Sequence, residues 1–171
     1  MSYLKLQVSQ GLAVIPSDTV RIPNPDTLVL SKETGDFTVA NEVTVPAGGL
    51  LAMGIQQGAI IYNYSDQIAY YVLSVQSDTV MTTKGGAGGS AGALFNIYNS
   101  EANQPCILYV GGAGNVSAIM AQATNFQKLG NIIAGQIPLL FSAVPVGTFM
   151  PTQVIAVEDK GTTATNIIAF K

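Results

Sequence analysis

Residues 59–75 read AIIYNYSDQIAYYVLSV. Two runs of apolar, β-branched and aromatic residues, AIIYNY at 59–64 and IAYYVLSV at 68–75, flank the polar triplet Ser65, Asp66 and Gln67. Runs of this length and composition about a short polar loop predict two antiparallel strands joined by a hairpin turn. The rhythm extends both ways. Upstream, Leu4, Leu6 and Val8 alternate with Lys5, Gln7 and Ser9, the pattern of a half-buried strand. TLVLS at 27–31 and DFTVA at 36–40 flank KETG and predict a second hairpin, and EVTV at 42–45 stops at Pro46. Downstream come TVMTT, LFNIY and CILYV. Then TQVIAV at 152–157 and TNIIAF at 165–170 flank EDKG, a tight turn in which Gly161 supplies positive φ.

Turn signals about every ten residues between short strands predict an all-β fold, sandwich or barrel-like, with several hairpins and at most one short helix. The candidate helix is 116–129, which contains no Pro or Gly. There Ile119, Ala123 and Phe126 recur at helical spacing, and Gly130 stands at the end. The chain has 171 residues, the size of one domain. VIAV and IIAF are apolar at successive positions, so both faces of these strands are expected to be buried. For Ile167, Ile168 and Phe170 that means one face in the core and the other against a neighbouring subunit or sheet. The threonines of GTTAT, residues 161–165, are expected to make local turn bonds. Two short strings recur, SDTV at 17 and 77, and VPAG at 45 against VPVG at 144, and hint at a duplicated unit. The loop GGAGGSAG at 85–92 reads as flexible and exposed.

Charged residues make up only 10% of the chain, against about 25% in ordinary soluble domains. Residues 85–157 hold just two, Glu101 and Lys128. Residues 129–157 are uncharged over a length that could span a bilayer. However, Pro138, Pro145, Pro151, Gly130, Gly135 and Gly147 would break a membrane helix repeatedly, so no membrane partner is expected. The better account is a homo-oligomer whose subunits cover one another, because interface cores are depleted in charge. Net charge is −3 and the seven basic residues are scattered, so no nucleic acid is expected to bind. Cys106 stands alone in CILYV and reads as a small buried hydrophobe. The N-terminus MSYLKLQVSQ lacks a signal-peptide pattern, which predicts folding in a cytoplasm.

The inventory for chemistry is thin. YVGGAGNVSA at 109–118 places Gly112, Gly114 and Ser117 near a dinucleotide-binding spacing. The acid expected about 20 residues on to hold a ribose is missing, since the next is Glu158. A glycine turn between strands is the favoured reading. The glycines of 85–92 are not followed by Gly-Lys-Ser/Thr, so they form no P-loop. Histidine is absent, which removes Ser-His-Asp and Cys-His nucleophile systems and the usual zinc sites. Asp66 and Asp78 lack placeable partners. Glu158 and Asp159 sit in a turn and are expected to be solvated. Tyr62, Tyr64, Tyr70, Tyr71 and Tyr98 are read as core and interface packing, with a carbohydrate-binding face as the rival reading. No catalytic, cofactor or metal site is expected, and the chain is read as non-enzymatic.

Three segments carry a resemblance: AVIPSDTVRIP at 13–23, ILYVGGAGNVSAI at 107–119, and IPLLFSAVPVGTFMPTQVIAVEDKGTTATNIIAF at 137–170. In this order they resemble the spike-base, or head-decoration, family of bacteriophage and gene-transfer-agent particles. Its pattern VPxGTxxPxxVxxVxxxGTTAT is matched by Pro145, Gly147, Pro151, Gly161 and Thr162. The resemblance leaves out residues 24–104, which read as a β-rich insertion, and it weakens at 120–136. It implies a small virion protein on the capsid surface, assembled in the host cytoplasm. The implied partners are its own copies as a trimer or pentamer, the major capsid protein or other virion proteins, and a fibre protein. The implied role of the matched residues is strand and turn geometry. The alternative is a receptor- or glycan-binding module of a phage tail or fibre.

Overall fold

The computed structural model describes residues 10–85, 88–99, 105–121 and 138–171. The fold is all-β, two antiparallel sheets in a sandwich-like arrangement. The only helical element among the described residues is a single 3-10 turn, Pro25–Thr27, capped by the Asn24 side chain. The strands are β1 Gly11–Ala13, β2 Leu28–Gly35, β3 Glu42–Thr44, β4 Ile60–Asn63, β5 Ile68–Val75, β6 Val80–Lys84, β7 Ala93–Tyr98, β8 Cys106–Gly112, β9 Gly114–Met120, β10 Leu139–Val144, β11 Thr148–Val157 and β12 Thr165–Phe170. The first sheet has the order β1-β12-β8-β11-β9-β10 and the second β2-β7-β4-β5-β6-β3. The stretch 24–104 thus supplies every strand of the second sheet, and the flanking stretches build the first.

The hairpin at 59–75 is the centre of the second sheet. Ile60 faces Tyr71 and Asn63 faces Ile68 across it, and Gln67 takes φ +57° to close the turn. Strand periodicity splits its side chains between two cores. Ile60, Tyr62, Ala69 and Tyr98 pack against Leu108, Val110, Val154, Ile167 and Ala169 of the first sheet. Ile61, Tyr70, Val72, Phe95, Ile97 and Met81 point the other way, into a second apolar cluster closed by Phe37, Val45 and Leu50. A sheet with two buried faces must be covered twice. Here the second sheet curls until its two edges meet at Asp36 and Thr44, which exchange backbone bonds of 2.8 and 3.0 Å. It therefore wraps its own core.

Several sequence expectations are corrected. KETG is not a hairpin loop, and DFTVA forms no strand beyond the Asp36 bridge. β2 runs straight through KETG, with Lys32 at φ +54° in a bulge between Leu30 and Glu33. The Lys32 amide donates to Asn96 Oδ1 at 2.7 Å, which holds that bulge. The helix expected from residue 116 is strand through Met120, pairing with both β10 and β11; residues 122–129 lie outside the described residues, as does the strand expected at 4–8. β11 and β12 are not neighbours, because β8 lies between them. The recurring SDTV strings form the same local turn twice. Ser17 Oγ accepts from the Thr19 amide, and Ser77 Oγ from the Thr79 amide, each at 3.3 Å. They are a repeated turn device. The described part of the 85–92 loop is exposed but tied down: Gly89 donates to the Phe37 carbonyl at 2.7 Å, and Ser90 bonds Asp66.

Candidate interaction surface

The GTTAT segment has a long-range task. The Thr162 hydroxyl accepts from the Ser117 amide at 3.0 Å, and the Thr163 hydroxyl from the Asn115 amide at 2.9 Å. The Asn115 carbonyl accepts in return from the amides of Thr163 and Ala164, at 2.9 and 3.0 Å. These bonds reach β9, not the local turn, and stitch the chain between β11 and β12 onto it. Gly161 turns at φ +93° to allow this. Glu158 is half-buried rather than solvated, and Ser117 Oγ donates to its carboxylate at 3.0 Å. Asp159 is exposed as expected.

The glycines of YVGGAG are explained by the same contact. A Cβ on Gly111 would lie 2.8 Å from the Asn166 carbonyl oxygen, and one on Gly114 would lie 2.5 Å from the Ala164 amide nitrogen. A Cβ on Gly112 would collide with the Thr165 side chain. The space a pyrophosphate would need at these glycines is filled by residues 163–166.

The other candidates are structural in the same way. Asp66 accepts from Asn63 Nδ2 at 2.7 Å, from the Ser90 amide at 2.9 Å and from Ser90 Oγ at 2.7 Å, and the Ser90 bonds hold its carboxyl below the usual range. Asp78 accepts from the Gly49 amide at 2.9 Å. Cys106 is buried, donates to the Val154 carbonyl at 3.2 Å, and burial pushes its thiol up to about 11. The tyrosines do not converge on one exposed face. Tyr62 is fully buried between the sheets, and Tyr70 stacks on Phe37 in the second core. The Tyr64 and Tyr98 hydroxyls bond each other at 3.0 Å, and the Tyr71 hydroxyl accepts from the Arg21 amide. Among the described residues no cluster of three metal-ligating side chains occurs, and no helix is long and apolar enough to cross a membrane.

One outward region of the first sheet is apolar. β10 and the turn into β11 carry the family-like motif. Gly147 takes φ +82°, its amide bonds the Val110 carbonyl at 2.8 Å, and Thr148 Oγ1 donates to the Pro145 carbonyl at 2.8 Å. Ala143, at φ +52°, forms a bulge whose amide is held by Asn115 Oδ1 at 2.9 Å. Beside this bulge lies an open groove of about 480 Å³, lined by Leu140, Phe141 and Val144 of β10 and by Pro145, Met150 and Pro151. Around it Leu139 is 51% exposed, Leu140 52%, Val146 66% and Phe149 58%. Phe149 begins a row across the outer face of the first sheet: its ring lies 5.0 Å from Tyr109 and 5.9 Å from Phe170. No charged residue occurs from 138 to 157. Pro145 and Pro151 therefore line a surface, whereas Gly147, Gly161 and Thr162 shape the backbone under it. In β12, Ile167 faces the core, and Ile168 and Phe170 sit half-buried on the outer side. The exposed leucines and Val146 were not singled out in the sequence; their only signal was the missing charge.

Comparison with protein-family models, with curated proteins and with solved structures found no match.

Proposed function

We propose that this chain is a non-enzymatic structural protein of a bacteriophage-like particle, a capsid decoration or head spike-base protein that works as one of several packed copies. The observation that carries the proposal is the uncharged apolar surface of the first sheet. It is built by the segments that resemble the spike-base pattern, and it includes Pro145 and Pro151 of that motif. Large exposed apolar patches on a folded protein mark interaction sites. The acids, tyrosines and glycines that offered chemistry are instead engaged in holding the fold. In this reading the first sheet meets the major capsid protein and sister subunits, as a trimer or pentamer. The second sheet, built by 24–104, stands away from the particle, where a fibre would attach. Mass spectrometry of purified particles from the phage that encodes the chain tests this. The chain should co-purify in many copies per particle; its presence in infected cells but not in particles would refute the proposal. A glycan array on purified protein separates off the receptor-binding alternative, which saturable glycan binding would favour.

A further inference from the structure

Among the described residues the two sheets have four edge strands, and three of them are short or charged, features that hinder edge-to-edge pairing. β2 has Lys32 and Glu33 and two breaks of register. β3 is three residues long, includes Glu42, and is engaged by Asp36. β1 is only three residues long. β10 is different in charge: it has six residues, LLFSAV, with none, its first two side chains are more than half exposed, and its one bulge, at Ala143, leaves Leu139–Phe141 in regular register. Among the described residues it pairs with β9 alone. An uncharged, apolar, exposed edge strand is a template for another strand.

We propose that the edge of β10 left unpaired among the described residues, with the groove beside it, is the surface through which two copies of this chain join. The inference rests on the reading of the chain as one of many packed copies. A second copy suits this surface because residues 138–157 bring no charge to it from either side. An acidic or basic partner would find no counter-charge between residues 138 and 157. Leu139, Leu140, Val146 and Phe149 are each more than half exposed, apolar surface toward the about 800 Å² that one partner contributes to a standard interface.

The test is sedimentation of the full chain at micromolar concentration, as wild type and as Leu140→Lys, Val146→Lys and Leu28→Lys. Leu28 lies on the protected β2 edge and is 43% exposed, so it serves as the control. Wild type and Leu28→Lys should run as assemblies above 17.8 kDa. The two β10-side variants should associate at least about tenfold more weakly, because a lysine there must be desolvated against an uncharged partner. All variants should keep their strand signature and melt near wild type. An assembly that survives both β10-side substitutions would overturn β10 as the joint and leave self-association standing. A wild type that stays at 17.8 kDa would overturn the inference itself. The particle reading is judged separately, by the presence of the chain in particles.

Discussion

Replacing Gly114 by alanine probes the contact that joins the chain's two most distinctive motifs. The added Cβ would sit 2.5 Å from the Ala164 amide nitrogen, 2.6 Å from the Thr163 carbonyl carbon and 2.7 Å from Ala164 Cα. All three are backbone atoms, so no side-chain rotation relieves the clash. Overpacking of this kind costs about 1–3 kcal/mol. Pushing residues 163–164 away would also break the threonine bonds to Asn115 and Ser117, at about 1 kcal/mol each. The total is roughly 3–5 kcal/mol, a large share of the roughly 5–15 kcal/mol that stabilises a domain. At this chain length that should lower the melting temperature by roughly 10 °C. The control is Gly147→Ala, where nothing lies within 4 Å of the new Cβ and only the φ of +82° is penalised, by about 1–2 kcal/mol. Thermal melts followed by circular dichroism compare them. If Gly114→Ala melts no lower than Gly147→Ala, the packing of GTTAT against GGAG is not what requires glycine there.

Thr162→Val should destabilise by about 1–3 kcal/mol, because it leaves the amide of the buried Ser117 without its acceptor, whereas Thr163→Val should cost about 1 kcal/mol or less, since the Asn115 amide is reached by water; chemical denaturation of both measures the order. Phe170→Ala should cost about 2 kcal/mol, below the 3–5 kcal/mol of a fully buried phenylalanine, because the ring is half-buried beside Phe149; a loss as large as the full range in a monomeric sample would mean that more covers it. Asp66 has a depressed carboxyl, so its contribution is present above its ordinary value of 3.8 and is lost as pH falls through the lower folded value. Melting temperature against pH should therefore show a smaller acid loss in Asp66→Asn than in wild type, and parallel curves would contradict the Ser90 pin. Cys106 should resist thiol reagents at neutral pH until the chain unfolds, as its burial and raised pKa require.

The sequence was most legible where neighbours in the chain decide the structure. IAYYVLSV and TNIIAF are strands at the residues read for them, because alternation and β-branching are local signals. VIAV is buried on both faces, as four successive apolar residues suggested. Legibility failed where a distant residue decides. KETG has turn composition, yet Asn96, 64 residues away, turns it into a bulge within one strand. Ile119 has helical spacing with later residues, yet Ile119 and Ala118 are buried on opposite faces of a strand between two neighbours. The threonine hydroxyls of GTTAT bond amides 45 and 48 residues earlier, and no local rule predicts that. The motif prolines were visible as turn residues, but their place at a groove follows from strand order, which puts β9 between β10 and β11.

The most direct measurement is a reconstruction of the purified particle at a resolution that resolves strands. This chain should lie on the capsid surface as clustered copies, with the first sheet against the shell and its neighbours, and with 24–104 outward. Particles whose surface lacks the chain, or copies attached through the second sheet with Leu139, Leu140, Val146 and Phe149 left facing solvent, would contradict it.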